Sequence, residues 1–145
     1  MEQLPHIDTS SFQLHLFQIL NKLKPQQNII VSPLSIFLAL SLTMNGSKGD
    51  TLTEILKTLK AESVENINKT CTNILQQYKT SNNIKIANAV FTSAPIEKSF
   101  QDKCKEYKAI ADKLVSVEQV NSWCAEATKN KITKIIDSID ELLYL

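Results

Sequence analysis

The residues that could do chemistry are few, and they do not converge. His6 and His15 are the only histidines, and no HExxH, no GxSxG and no cysteine–histidine arrangement occurs along the chain. His15 sits in an apolar stretch, where an imidazole serves as a packing or rim residue more readily than as a ligand. Cys71, Cys104 and Cys124 are odd in number and widely spaced, so neither a zinc pair nor a redox CxxC can be drawn from them. Buried, reduced thiols are expected instead. Gly46 and Gly49, the only glycines, precede a helix, as a phosphate-cradling loop would, but they lack the spacing and lysine of a P-loop. A helix-to-helix turn accounts for both. Asp137, Asp140 and Glu141 form an acidic group that reads as a solvated connection. No catalytic, cofactor-binding or metal-ligating set is expected, and the chain reads as a non-enzymatic protein.

Composition agrees with a protein that works by packing. At 145 residues, 43% hydrophobic and 21% charged, the chain supports one globular core. A net charge of +1 gives no sign of a nucleic-acid partner. The longest apolar stretch, residues 34–44, is broken by Ser35, Ser41 and Thr43 and falls well short of the ~20 residues of a membrane span. Residues 1–11 lack the basic region and apolar run of a signal peptide, so a soluble, cytoplasmic protein is expected. Asn45-Gly46-Ser47 and Asn68-Lys69-Thr70 are formal glycosylation sequons, and in the cytosol they would not meet the glycosylating machinery.

Periodicity supplies the elements. After the capping candidates of residues 8–11, a helix places Phe12, Leu16, Ile19, Leu20 and Leu23 on one face and ends at Lys24-Pro25. Residues 28–31, Asn-Ile-Ile-Val, read as a short strand. Ser32 can cap free amides, and Pro33 suits a first helical position, where its missing N–H would be unpaired anyway. The helix that follows, to about Met44, is apolar all round and should be buried on every side, with a left-handed stop at Asn45-Gly46. Shorter helices begin at Asp50 and near Ser63. Residues 84–92 alternate as a strand with two apolar faces, which should be covered on both sides. A helix over residues 96–107, a weaker strand over 109–115 and a helix over 118–129 carrying Val120, Trp123 and Ala127 complete the pattern. Trp123 is expected to pack against the strand that contains Asn88. Helices interleaved with a few strands give an α+β class.

Three motifs carry a family resemblance. Residues 12–59, FQLHLFQILNKLKPQQNIIVSPLSIFLALSLTMNGSKGDTLTEILKTL, closely resemble the opening of serpin domains. There a first helix leads to N-[IV]-[FIV]-[FIV]-S-P-x-S, a buried helix, a glycine turn and a threonine-initiated helix. The corresponding positions are Asn28, Ser32, Pro33, Ser35, Gly46 and Thr51. IANAVF at residues 86–91 resembles the second strand of the main serpin sheet, and VNSWCAEATKNKI at 120–132 resembles the helix with the pattern I-N-x-W-V-x-x-x-T-x-x-K-I. The stretch between Tyr107 and Val120 is shorter than family members usually carry.

The resemblance implies a serpin-like N-terminal segment, with helices packed on an incomplete β-sheet over residues 1–145. It implies serine- or cysteine-type endopeptidase inhibition as the family function and a protease as the partner of a complete member. It places Ser32 and Ser35 in a "shutter" beneath the main sheet, and a buried hydroxyl at Ser35 would need a partner there. In serpins a long loop near the C-terminus offers a bait bond and, once cleaved, enters the sheet as a new strand. No residue here matches that loop, its hinge or the C-terminal strands, so no reactive-site bond is assigned and a truncated, non-inhibitory chain is expected. The alternative is a helical interaction module whose uncovered apolar surface binds itself or a partner such as a full-length serpin. An extracellular location is the family-level alternative to the cytosol.

Overall fold

The computed structural model describes residues 9–79 and 84–139, and the chain divides into two compact units at Gln77/Tyr78. The first unit is helical, with α1 (Thr9–Leu23), α2 (Pro33–Met44), α3 (Gly49–Thr58) and α4 (Val64–Tyr78), whose last residue lies at the division. The start of α2 follows from its first residues. Ser32 is extended (φ −106°, ψ 91°), its hydroxyl accepts the Ser35 amide, and Pro33 occupies the first turn.

Phe12 of α1 meets Phe37 of α2 with ring centroids 5.7 Å apart, and around this pair Leu38, Leu42, Met44 and Leu59 are buried. On α4, Ile67, Cys71 and Leu75 recur at helical spacing and are buried. The α2 helix is not buried on every side, as its apolar ring predicts. Phe37, Leu38, Ser41, Leu42 and Met44 are buried, Leu34, Ile36 and Leu40 are half-buried, and Ser35, Ala39 and Thr43 are exposed. In this unit α1 and α3 pack along α2 and cover only part of its circumference. The α1 stripe is covered only in part as well, since Phe12 is buried whereas Ile19 and Leu23 are 41% and 72% exposed.

Two further expectations are corrected. Residues 28–31 form no strand, because no described segment lies alongside to complete a ladder, and Ile30 is fully exposed. Gly46 is not left-handed: α2 closes on Asn45 in a helical conformation, and Gly46 N–H donates to the Thr43 carbonyl at 3.0 Å. The left-handed glycine is Gly49 (φ 57°), at the first residue of α3, one residue before the expected start. Elsewhere the chain ends helices on lysine. Lys60, Lys108 and Lys129 follow the C-caps of three helices at φ 52–53°, where glycine is the usual choice.

The second unit runs β1 (Asn88–Thr92), α5 (Lys98–Glu106), β2 (Ala109–Lys113) and α6 (Val117–Ala127). The strands pair in parallel, with Asn88 opposite Ala109 and Thr92 opposite Lys113. Parallel neighbours need a crossover rather than a tight turn, and α5 supplies it. The first strand is shorter than residues 84–92, because its ladder with the five-residue β2 begins at Asn88 opposite Ala109. All five residues of β1 are half-buried, so the expected covering of both faces is not reached among the described residues. Cys104 and Tyr107, and then Val120 and Cys124, are the buried residues of the helical stretches. Residues 131–139 contain no helix or strand. The described elements make an α+β segment of six helices and one two-stranded sheet.

Candidate functional site

Two groups of motif residues come together, one in each unit. At the start of α2 the Ser32 and Ser35 hydroxyl oxygens lie 2.9 Å apart, and the Ser35 amide donates to Ser32 Oγ at 3.4 Å. Both side chains are exposed, so the buried hydroxyl expected at Ser35 is not there. The buried hydroxyl is that of Ser41, which donates to the Phe37 carbonyl of its own helix at 2.7 Å. The Ser32–Ser35 contact uses one of two hydroxyl protons, and either hydroxyl can be its donor. Asn28 is exposed and Pro33 half-buried beside them, and Gly46 and Thr51 lie along the following turn and helix.

In the second unit the Trp123 indole meets the Phe91 ring edge-on, with centroids 5.9 Å apart and planes at 74°. That contact docks α6 on β1, the strand that begins with Asn88. The start of α6 resembles a capping box. Ser116 Oγ accepts the Gln119 amide at 3.1 Å, while the Gln119 side chain accepts from Val115 N at 2.8 Å and donates to the Lys113 carbonyl at 2.9 Å. The Glu118 carboxyl is held below its ordinary range, chiefly by its own backbone N–H and then by the Ser116 hydroxyl.

Sequence reasoning passed over two residues of the tryptophan motif. Asn121 donates through Nδ2 to the Ile136 carbonyl at 3.0 Å and accepts through Oδ1 from the Ile135 and Ile136 amides at 2.8 and 3.2 Å. Thr128 Oγ1 donates to the Cys124 carbonyl at 2.8 Å and accepts from Ile132 N at 3.0 Å. Both residues lie in the quoted motif. Their signal was that both are polar positions of the quoted motif pattern, and their partners among residues 132–136 follow without secondary structure.

No other arrangement among the described residues suggests reaction chemistry. Cys71, Cys104 and Cys124 are buried and form no disulfide, and burial raises the Cys104 thiol above its ordinary pKa, away from the reactive thiolate. Asp102 bridges Lys98 at 2.7 Å and Lys105 at 3.1 Å on the exposed side of α5. Asp137 pairs with Lys134, whereas Asp140 and Glu141 lie outside the described residues. No group of three or more metal-ligating side chains occurs among the described residues. A wide-mouthed hollow of about 340 Å³ is lined by Ser93, Pro95, Ile96, Asp112 and Lys113, among others. No described helix is long and apolar enough to cross a membrane.

The sequence model of one family, described as Serpin (serine protease inhibitor), matches residues 8–145. The chain belongs to the serpin family. Among curated serpins it is 30% identical to "Leukocyte elastase inhibitor A" of Mus musculus, over all of this chain and 43% of that protein. It is 26% identical to "Serpin B9" of Homo sapiens, over 91% of this chain and 39% of that one. The chain thus spans about two fifths of the length of the curated serpins it matches. Among solved structures it resembles the thermophilic serpin Tengpin in the latent state, with a TM-score of 0.83 and 28% identity over 97% of this chain and 42% of that one. Arabidopsis AtSerpin1 in its native stressed conformation shares the fold, with a TM-score of 0.81 and 24% identity over 92% of this chain and 39% of that one.

Proposed function

We propose that these residues form the supporting half of a serpin-type endopeptidase inhibitor, and that the 145 residues by themselves do not trap a protease. One observation carries this reading: residues 8–145 match the serpin family, and the chain spans about two fifths of the length of its curated relatives. Trapping in the manner the family resemblance implies needs a bait bond, a hinge and a sheet that gains a strand, and no residue of this chain matches the first two. The exposed Ser32–Ser35 hydroxyl pair is the shutter, with a hydroxyl proton beyond the one their contact uses left for a sheet strand of a complete serpin. Asn28, Pro33, Gly46 and Thr51 are the frame that places it within the first unit, and in the second unit Trp123 carries α6 on the strand that Asn88 begins. Similarity to both a latent and a native stressed serpin supports a part that supports the transition rather than carrying it out. Three cysteines, none of them in a disulfide, suit a reducing compartment, and the cytosol is the location proposed.

The experiment is direct. The purified chain is incubated with trypsin-like, chymotrypsin-like and papain-like proteases, and complexes stable to boiling detergent are sought. No such band and no stoichiometric loss of protease activity are expected, because no bait bond is available for acylation. A covalent complex at the summed mass would overturn the reading.

A second reading is favoured by the surface of α1, where Leu14, Phe17 and Leu23 are 60%, 48% and 72% exposed. Apolar area of this kind suits a self-associating or partner-binding module. An added arm of the same assay, with a complete serpin present, tests it. A reproducible change in that serpin's inhibition would assign the chain an activity of its own.

A further inference from the structure

Asn45-Gly46 is the only asparagine–glycine pair in the chain, the dipeptide in which a backbone amide most readily attacks a neighbouring side chain. Its surroundings hold every participating atom. Asn45 Nδ2 donates to the Ser41 carbonyl at 2.8 Å and to Asn68 Oδ1 at 2.9 Å, while Asn68 Nδ2 returns a bond to Asn45 Oδ1 at 2.8 Å. The attacking nitrogen is engaged too, since Gly46 N–H donates to the Thr43 carbonyl at 3.0 Å. The helical backbone of Asn45 (φ −69°, ψ −17°) keeps that nitrogen turned toward Thr43 and away from its own Cγ.

We propose that Asn45 is a deamidation site gated by its amide pair with Asn68, closed in the folded chain and opened when the end of α2 separates from α4. In the open state the Gly46 nitrogen gives up its proton and forms a bond to Asn45 Cγ. The bond from Cγ to the side-chain nitrogen breaks, and ammonia leaves with the proton. Water then opens the cyclic imide to aspartate or isoaspartate, so one amide and one water become one carboxylic acid and one ammonia. The change cannot be undone by reclosing. The carboxylate has no proton for the Ser41 carbonyl or for Asn68 Oδ1, and two acceptors are left without their donor. Each opening that reacts therefore removes a chain from the closed population.

The test follows the peptide containing Asn45 by mass spectrometry in the full chain, scoring the gain of about one mass unit and the aspartate and isoaspartate products. Three arms are compared: native buffer, urea, and native buffer with Asn68→Ala. Local opening limits reaction in the folded chain, so the rate in urea should exceed the native rate by on the order of tenfold or more. Asn68→Ala should accelerate the native reaction several-fold. Ile67→Val, a buried change in the neighbouring residue that spares the pair, separates loss of the gate from general loosening and should have little effect. Asn68→Asp, which keeps an acceptor for Asn45 Nδ2 and loses the returning donor, should fall between wild type and Asn68→Ala and serves if the alanine variant does not fold. Equal rates in native buffer and urea would overturn the proposal. So would an acceleration by the Asn68 variants no larger than that of Ile67→Val.

Discussion

Asn121 grips the backbone of Ile136 from both sides, donating to its carbonyl at 3.0 Å and accepting from its amide at 3.2 Å. A single side chain thus fixes a segment that has no helix or strand of its own. Asn121→Ala should lower stability by about 1–2 kcal/mol, the scale of a few partly solvated hydrogen bonds. The expected sign is local: hydrogen exchange at the Ile135 and Ile136 amides speeds up while that of β1 changes little. Asn121→Asp keeps the acceptor for both amides and should retain most of their protection.

Trp123→Ala removes the ring that docks α6 on Phe91. Because the indole is half-buried, the cost should be about 2–3 kcal/mol, below the ~3–5 kcal/mol of a fully buried aromatic. Chemical denaturation measures it, and a change near zero would mean that α6 is not held to the sheet.

Lys108 ends α5 at φ 52°, where a side chain is strained and glycine is not. Lys108→Gly should raise stability by about 0.5–1 kcal/mol, less than the full strain because glycine also loosens the unfolded chain. A shift of the urea midpoint to higher concentration, with unchanged slope, is the expected result.

The Cys104 thiol is raised by burial, so folding favours its protonated form. The unfolded chain ionises first as pH rises. Stability from this group is therefore complete below the ordinary thiol pKa of about 8.5 and falls as pH rises toward the folded value. Denaturation midpoints between pH 7 and pH 10 should show that fall, and Cys104→Ala should flatten it. Thiol-reactive reagents should label Cys104 slowly until denaturant is added.

Much of the fold was legible because it is locally determined. Ser32-Pro33 marks the start of α2 through a cap and a fixed φ, and both act within one turn. Ile67, Cys71 and Leu75 announce the buried side of α4 by spacing alone. What could not be read depends on partners distant in sequence. Residues 28–31 have strand composition, but a strand exists only with a neighbour. Ser35 and Ser41 are both hydroxyls on an apolar helix, and only the packing of α1 and α3 decides that Ser41 is the buried one. Gly46 and Gly49 each suit a left-handed turn, and the choice fell to Gly49 because Asn45 closes α2 without leaving the helical region. The candidate site divides the same way: the Ser32–Ser35 pair is set by an i, i+3 spacing, whereas the reach of Asn121 to Ile136 crosses fifteen residues of chain.

The Phe91–Trp123 contact also makes the chain its own optical instrument. Trp123 is the only tryptophan, and it sits in the second unit, so indole emission reports the docking of α6 on β1. Far-ultraviolet ellipticity draws most of its signal from helices, and the first unit holds four of the six among the described residues. Two spectroscopic traces recorded on one unmodified sample therefore weight the two units differently. If they coincide through a denaturant titration, the two units melt as one; if they separate, the order of separation names the weaker.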